Sequence, residues 1–318
     1  LNSNGITGSI PSSVGSLNLL TALDVGFNAF TGTIPVSVRE LHLLQELFCE
    51  NNFLTGRIPD GLGDLPELVY ISMFNNSLEG SLDSVFNSSL QANLYQVDVH
   101  NNQLTGALPT ELFRLPALAI AALASNCFTG TLPVDVCGQE HLQTLVLDGL
   151  HTASSCRKKI WALSESYTVS NGMYGTIPSC IFSLSKLQTL HLSGNYFSGR
   201  VSHAMTLAPS LTDLILSHNS LTGPISKIFQ LHNWSRFDLS YTLFSGSLSP
   251  EFGRGMSDNG TVYVQNNRLS GEVPSYLVHL QDVSALGSNM FSCKTDKSDL
   301  PQHDGSISNY QCGSDEFN

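Results

Sequence analysis

Apolar residues recur along this chain in two nested rhythms. Within LQTLHLSGNYFSGRV (187–201), Leu190 and Leu192 alternate with Thr189, His191 and Ser193, the period of two that marks a half-buried strand. After it stand Asn195 and, four residues on, Gly199. The same order returns through the chain as L-x-L-x-x-N-x-L-x-G-x-I-P. The Asn position is filled by Asn4, Asn28, Asn52, Asn76, Asn102, Asn126, Asn171, Asn195, Asn219, Thr242, Asn267 and Asn289, at spacings of 24, 24, 24, 26, 24, 45, 24, 24, 23, 25 and 22 residues. Gly8, Gly32, Gly56, Gly80, Gly106, Gly130, Gly175, Gly199, Gly223, Gly246 and Gly271 follow four residues later, and Cys293 takes that place at the twelfth.

Each recurring residue has a physical task. The Asn turns the chain off the strand, and its amide can bond backbone groups of adjacent turns that would otherwise be orphaned. The Gly permits a tight bend or a positive φ. The Ile-Pro opens a short segment on the outer side. One repeat cannot bury its own apolar face, so neighbours stack to make the core. At 318 residues length alone suggests two domains, but the repeat predicts one solenoid.

The segments LDVGFNAFTGTIP, LILSHNSLTGPI and VYVQNNRLSGEVP resemble the plant-type leucine-rich repeat. That type builds ectodomains of plant receptor kinases and receptor-like proteins, and inhibitors of pectin-degrading enzymes such as polygalacturonase. The resemblance implies an α/β repeat solenoid: a right-handed superhelix with a concave parallel sheet, short secondary strands, and 3-10 or short helical segments on the convex side. The expected organisation is a solenoid of about eleven 24-residue repeats over 1–292, interrupted by an insertion at about 149–170, with a C-terminal disulfide cap over 293–318. The sequence departs from the type in lacking an N-terminal cysteine-paired cap and transmembrane or kinase segments. Asp83, Ser202, Ser226 and Ser249 also stand where Pro is usual.

Charge narrows the ligand classes. Fourteen Lys and Arg against 26 Asp and Glu give a formal charge of −12, the wrong sign for neutralising phosphates, so nucleic acid is not expected. No apolar run approaches the ~18–20 residues that span a bilayer. The chain opens inside a repeat without Met. That start reads as a fragment or processed chain, compatible with a tether outside it.

Seven cysteines are present. Cys49 occupies an inward strand position and reads as a small buried hydrophobe. Cys293 and Cys312 bracket the tail where the repeat ends, a placement suited to a disulfide that closes the core. Cys127, Cys137, Cys156 and Cys180 surround the interruption. Their positions favour Cys137 with Cys180 and Cys127 with Cys156, among the three connectivities four cysteines allow. No CxxC pair or ligand spacing of His points to a metal, and no cofactor is expected. Disulfides place the chain outside the cell or on its surface. Asn75, Asn87, Asn233 and Asn259 each head an N-x-Ser/Thr acceptor sequence, although an Asn-, Ser- and Thr-rich chain generates several by chance.

Residues alternating with the strand leucines define the exposed face. Glu46, Phe48, Glu50, Tyr70 and Phe74 fall on two neighbouring strands as an acidic-aromatic patch, followed by Gln96, Asp98 and His100, then by an apolar strip of Ile120, Ala122, Ala124 and Val146. Aromatics on a rigid sheet serve as binding anchors, and β-rich surfaces also favour them without a ligand. Strands stack ~4.8 Å apart, so columns running the length of the chain suit a macromolecule rather than a small molecule. Asp98 with His100 and His303 with Asp304 are the nearest approach to catalytic pairs. No nucleophile, phosphate loop or metal triad accompanies them, and the second pair reads as a solvated turn.

The 45-residue spacing from Asn126 to Asn171 exceeds the repeat by 21. In CRKKIWALSESY, Ile160, Leu163 and Tyr167 fit a short amphipathic helix, with Trp161 and Tyr167 as contacts if the insertion meets a ligand. A disulfide-pinned excursion is the leading expectation for this segment. Taken together, the sequence predicts an extracellular, non-enzymatic recognition module binding a protein, peptide or glycan on its concave face. A cell-surface receptor ectodomain is one such module. The alternative is a surface-coat or filament unit that self-associates through open solenoid ends.

Overall fold

The structure is a computed structural model, and it describes residues 1–149, 156, 172–201, 206–256 and 259–312. The chain forms two compact units, Leu1–Tyr174 and Gly175–Asn318.

In the first unit, three-residue strands form one parallel sheet: Ala22–Asp24, Glu46–Phe48, Tyr70–Ser72, Gln96–Asp98, Ile120–Ala122 and Thr144–Val146. The register is unbroken, with Leu23, Leu47, Ile71, Val97, Ala121 and Leu145 side by side. All six are buried, so the central position of every strand points into the core. We call this the principal sheet. A second parallel sheet is built by the strands that follow each turn, among them Ala29–Gly32, Phe53–Arg57 and Gln103–Gly106.

Proline then redirects the chain. Pro11, Pro35, Pro59, Pro109 and Pro133 each precede a five-residue 3-10 helix, with φ between −59° and −73°. Their fixed φ presets the extended approach, and the ring's missing N–H lies where no intrahelical bond is needed. Where Asp83 replaces Pro, the backbone makes turns and no 3-10 helix.

The Asn ladder works through three kinds of bond. Asn126 is buried; its Oδ1 accepts from Leu104 N (3.0 Å), and its Nδ2 donates to Val99 O (2.9 Å) and Leu123 O (3.1 Å). One amide thus satisfies backbone groups of its own repeat and of the preceding one. The residue before the Asn is left-handed in most repeats, as at Asn51, Asn75 and Asn101 with φ 52°, 53° and 54°. The ladder glycines all have positive φ, and Gly56 shows why this matters. At φ +74°, a Cβ there would also lie 2.9 Å from the Thr33 methyl.

The second unit repeats the plan with strands Thr189–His191, Asp213–Ile215, Arg236–Asp238, Thr261–Tyr263 and Asp282–Ser284 in parallel register. Its core is more aromatic. Trp234 packs 5.1 Å from Phe237 between ring centroids, and its Nε1 donates to Phe229 O at 2.7 Å. Thr242 stands in for Asn by placing its hydroxyl 2.6 Å from Asn267 Oδ1 and 2.8 Å from Leu239 O.

Asp304 corrects the expectation of a solvated turn. It is 1% exposed, and its Oδ2 accepts from Ala285 N (2.6 Å) and Leu286 N (2.9 Å). These are the donors that a following repeat would have to satisfy. The Cys293–Cys312 disulfide and the Tyr310 hydroxyl, which donates to Phe291 O at 3.0 Å, hold the same segment down.

Candidate ligand-binding face

The outward positions of the first unit's principal sheet form three rows. Register aligns Glu46, Tyr70, Gln96 and Ile120 in one row, and Asp24, Phe48, Ser72, Asp98 and Ala122 in the next. Two residues beyond the second row stand Gly26, Glu50, Phe74, His100 and Ala124. Strand pairing fixes the backbone under all three rows, so the side chains are held at a regular spacing before any ligand arrives.

The patch has a definite internal order. The Phe74 and His100 rings stack with centroids 4.6 Å apart and 10° between planes. His100 Nδ1 lies 2.6 Å from Asp98 Oδ1, which orients the imidazole. Tyr70 meets Tyr95 edge-on at 6.0 Å. Asp24 is held by neutral donors, with Asn2 Nδ2 at 3.0 Å from each carboxylate oxygen and Gly26 N at 3.0 Å from Oδ1. Glu46, Phe48, Phe74, Gln96, Asp98 and His100 are all part-exposed.

Glu50 departs from the alternation that predicted an exposed side chain. It is 7% exposed, and its Oε2 is buried without a hydrogen-bond partner. A Cβ added to Gly26 would lie 2.7 Å from Glu50 Oε1, so the glycine makes room for the carboxyl to fold over the first strand. Burial pushes the Glu50 carboxyl above its usual range. Its own backbone N–H and the Ser72 hydroxyl oppose that rise, and Asp24 and Asp98 add to it.

A row of amides stands beside the patch. Asn75 Nδ2 donates to Asn51 Oδ1 (2.8 Å), and Asn101 Nδ2 donates to Asn75 Oδ1 (2.6 Å). The sequence signal was the Asn-Asn pair that recurs at 51–52, 75–76 and 101–102. The first Asn of each pair takes the left-handed turn that this residue type tolerates, and the second is the ladder.

Among the acceptor sequences, Asn233 and Asn259 are exposed, whereas Asn75 and Asn87 are half-buried. Cys127 is joined to Cys156, Cys137 and Cys180 are each in a disulfide, and Cys49 is a buried free thiol. Trp161 and Tyr167 lie outside the described residues. Among the described residues, no group of three His, Cys, Asp or Glu is placed to hold a metal ion, and no helix is long and apolar enough to cross a membrane.

The Leucine Rich Repeat family model matches residues 43–65, 186–206 and 210–231. The chain carries leucine-rich repeats and is similar to plant receptor-like proteins. Receptor-like protein 39 of Arabidopsis thaliana is 33% identical over 128 residues, 39% of this chain and 14% of that protein. The aligned segment spans about a seventh of that relative's length. Among solved structures, a TDR receptor aligns with a TM-score of 0.76 at 25% identity, covering 97% of this chain and 48% of that one. The plant peptide hormone receptor RGFR1, solved in complex with RGF2, aligns at 0.74 and 26% identity, covering 90% and 46%. A plant ice-binding protein aligns at 0.66 and 26%, covering 82% and 76%. The leucine-rich repeat scaffold thus serves unlike ligands, and the choice among them rests on the residues of the face.

Proposed function

We propose that this chain is an extracellular recognition module of a receptor-like protein, and that it binds a protein, peptide or glycan on the outward face of the principal sheet in its first unit. The contact set is Glu46, Phe48, Tyr70, Phe74, Gln96, Asp98 and His100, set around the buried Glu50. The observation that carries this reading is the ordered patch itself: part-exposed aromatic and carboxylate side chains in register on a backbone already fixed by strand pairing. Such a surface loses little conformational freedom on binding, which is where affinity is usually forfeited.

The relatives and neighbours support the reading, since they include a receptor-like protein and a peptide hormone receptor in complex with its ligand. They also favour a binding module over an enzyme. Asp98 and His100 have each other and the Phe74 ring as partners, which suits a positioned contact surface.

The test begins with peptides selected on the full chain from a random display library. The double variant Phe48→Ala, Phe74→Ala is expected to bind the selected peptides at least about tenfold more weakly, with an unchanged circular dichroism spectrum. Undiminished binding by the folded double variant would remove this face from the account.

A further inference from the structure

Asn259 carries two chemistries that exclude each other. It heads an N-x-Thr acceptor sequence, and it also stands directly before a glycine, in Asn259-Gly260-Thr261. The side-chain amide of an Asn can be attacked at Cγ by the backbone nitrogen of the residue that follows. Glycine favours the attack because it has no Cβ to crowd the approach and reaches conformations that other residues avoid. Whether the attack occurs in a folded chain depends on whether its two partners are held elsewhere.

At Asn259 they are not. The residue is exposed in a turn that leads into the strand Thr261–Tyr263. Among the described residues, neither its side-chain amide nor the Gly260 N–H has a hydrogen bond. The fixed backbone begins one residue later, where Thr261 N donates to Ser235 O at 3.0 Å. Asn4-Gly5 is the same pair in the opposite state. Asn4 Nδ2 donates to Leu1 O at 3.1 Å and to Asn2 O at 2.7 Å, and the N–H groups of Asn4 and Ile6, on either side of Gly5, both donate to Asn28 Oδ1. The remaining Asn-Gly pair, at 171–172, begins outside the described residues.

We propose that Asn259 is a site of spontaneous deamidation, and that N-glycosylation of the same residue blocks it. The Gly260 nitrogen bonds to Asn259 Cγ and closes a five-membered succinimide ring. Nδ2 leaves as ammonia, taking the Gly260 amide proton with it. Water then opens the ring at either carbonyl, giving aspartate or isoaspartate. The product adds one negative charge to the formal −12, and isoaspartate lengthens the backbone by a methylene immediately before Thr261. A glycan bonded to Nδ2 crowds Cγ and turns the leaving group into a bulky glycosylamine. Each molecule therefore takes one modification or the other at this residue.

The test uses the full disulfide-bonded chain made in two ways, without glycans and through a secretory pathway. Each is incubated in warm, mildly alkaline buffer and mapped by peptide mass spectrometry, with chromatography that separates aspartate from isoaspartate. The unglycosylated chain is expected to convert Asn259 to a mixture of the two, whereas Asn4 keeps its amide. Gly260→Val, which crowds the attacking nitrogen, is expected to lose the conversion. In the secreted chain, glycosylated Asn259 is expected to stay unconverted. Thr261→Val destroys the acceptor sequence and keeps Asn259-Gly260, so the secreted variant should convert as the unglycosylated parent does.

An Asn259 that stays intact in the folded, unglycosylated chain would overturn the proposal, and its conversion on reduction and unfolding would place the protection in the fold itself. Equal conversion of Asn4 and Asn259 in the folded chain would show that hydrogen bonding does not decide between them. Conversion of glycosylated Asn259 as fast as of the bare residue would overturn the blocking role of the glycan.

Discussion

Glu50 shows how one residue can work against stability. Its carboxyl is held above the usual value of 4.5, chiefly by burial. A folded state that binds a proton more tightly than the unfolded chain is favoured at low pH. Its advantage falls as pH rises from the unfolded value through the raised folded one. Glu50→Gln removes the charge and keeps the shape. The variant is therefore expected to melt higher than the parent at neutral pH, with the gain vanishing below about pH 4. Thermal unfolding of both proteins across that range checks this; a gap independent of pH would show that the Glu50 charge is not what burial penalises. Alternation in the sequence located Glu50 on the outward face. It could not reveal that Gly26 leaves space for the carboxyl to fold inward, because that depends on a neighbour 24 residues away.

The repeat unit was the most legible element. The alternating leucines, the Asn, the positive-φ Gly and the Pro before each 3-10 helix are local requirements, and each leaves its residue in a fixed place. What escaped the sequence were contacts between repeats that use ordinary residues. Asn75 bonds to Asn51 and Asn101, and nothing in a single repeat announces that row. Asp304 escaped for the same reason. An Asp in a Ser- and Gly-rich tail reads as solvated until the tail is folded back on the last strand, where the carboxylate meets the N–H groups of Ala285 and Leu286. Asp304→Ala leaves both donors buried and unpaired, and is expected to cost about 2–4 kcal/mol. Urea unfolding with disulfides intact measures it. A change within about 0.5 kcal/mol would mean that the disulfide and Tyr310 close the core without Asp304.

For the molecule as a whole, the deficit of basic residues and the Ser-, Thr- and Asn-rich surface set what can approach it. Glycans would shield part of that surface. Asn233 and Asn259 are exposed, whereas Asn75 has its amide nitrogen bonded to Asn51 and stands beside the patch. Expression through a secretory pathway followed by peptide mass mapping is expected to find Asn233 and Asn259 occupied and Asn75 bare. A glycan on Asn75 would obstruct the proposed face and count against it. The fold was legible in the sequence because the repeat dictates it. The ligand was legible only as a class, because the face is written in the outward residues that the repeat leaves free. The central claim is that a ligand lies on the outward face of the first unit's principal sheet. Hydroxyl-radical footprinting of the chain with and without a display-selected peptide tests it most directly. The account expects protection of Phe48, Tyr70 and Phe74, with Phe53 and Val134, exposed elsewhere on the same unit, labelled as before. Protection of Phe53 or Val134 with Phe48 and Phe74 unchanged would contradict it.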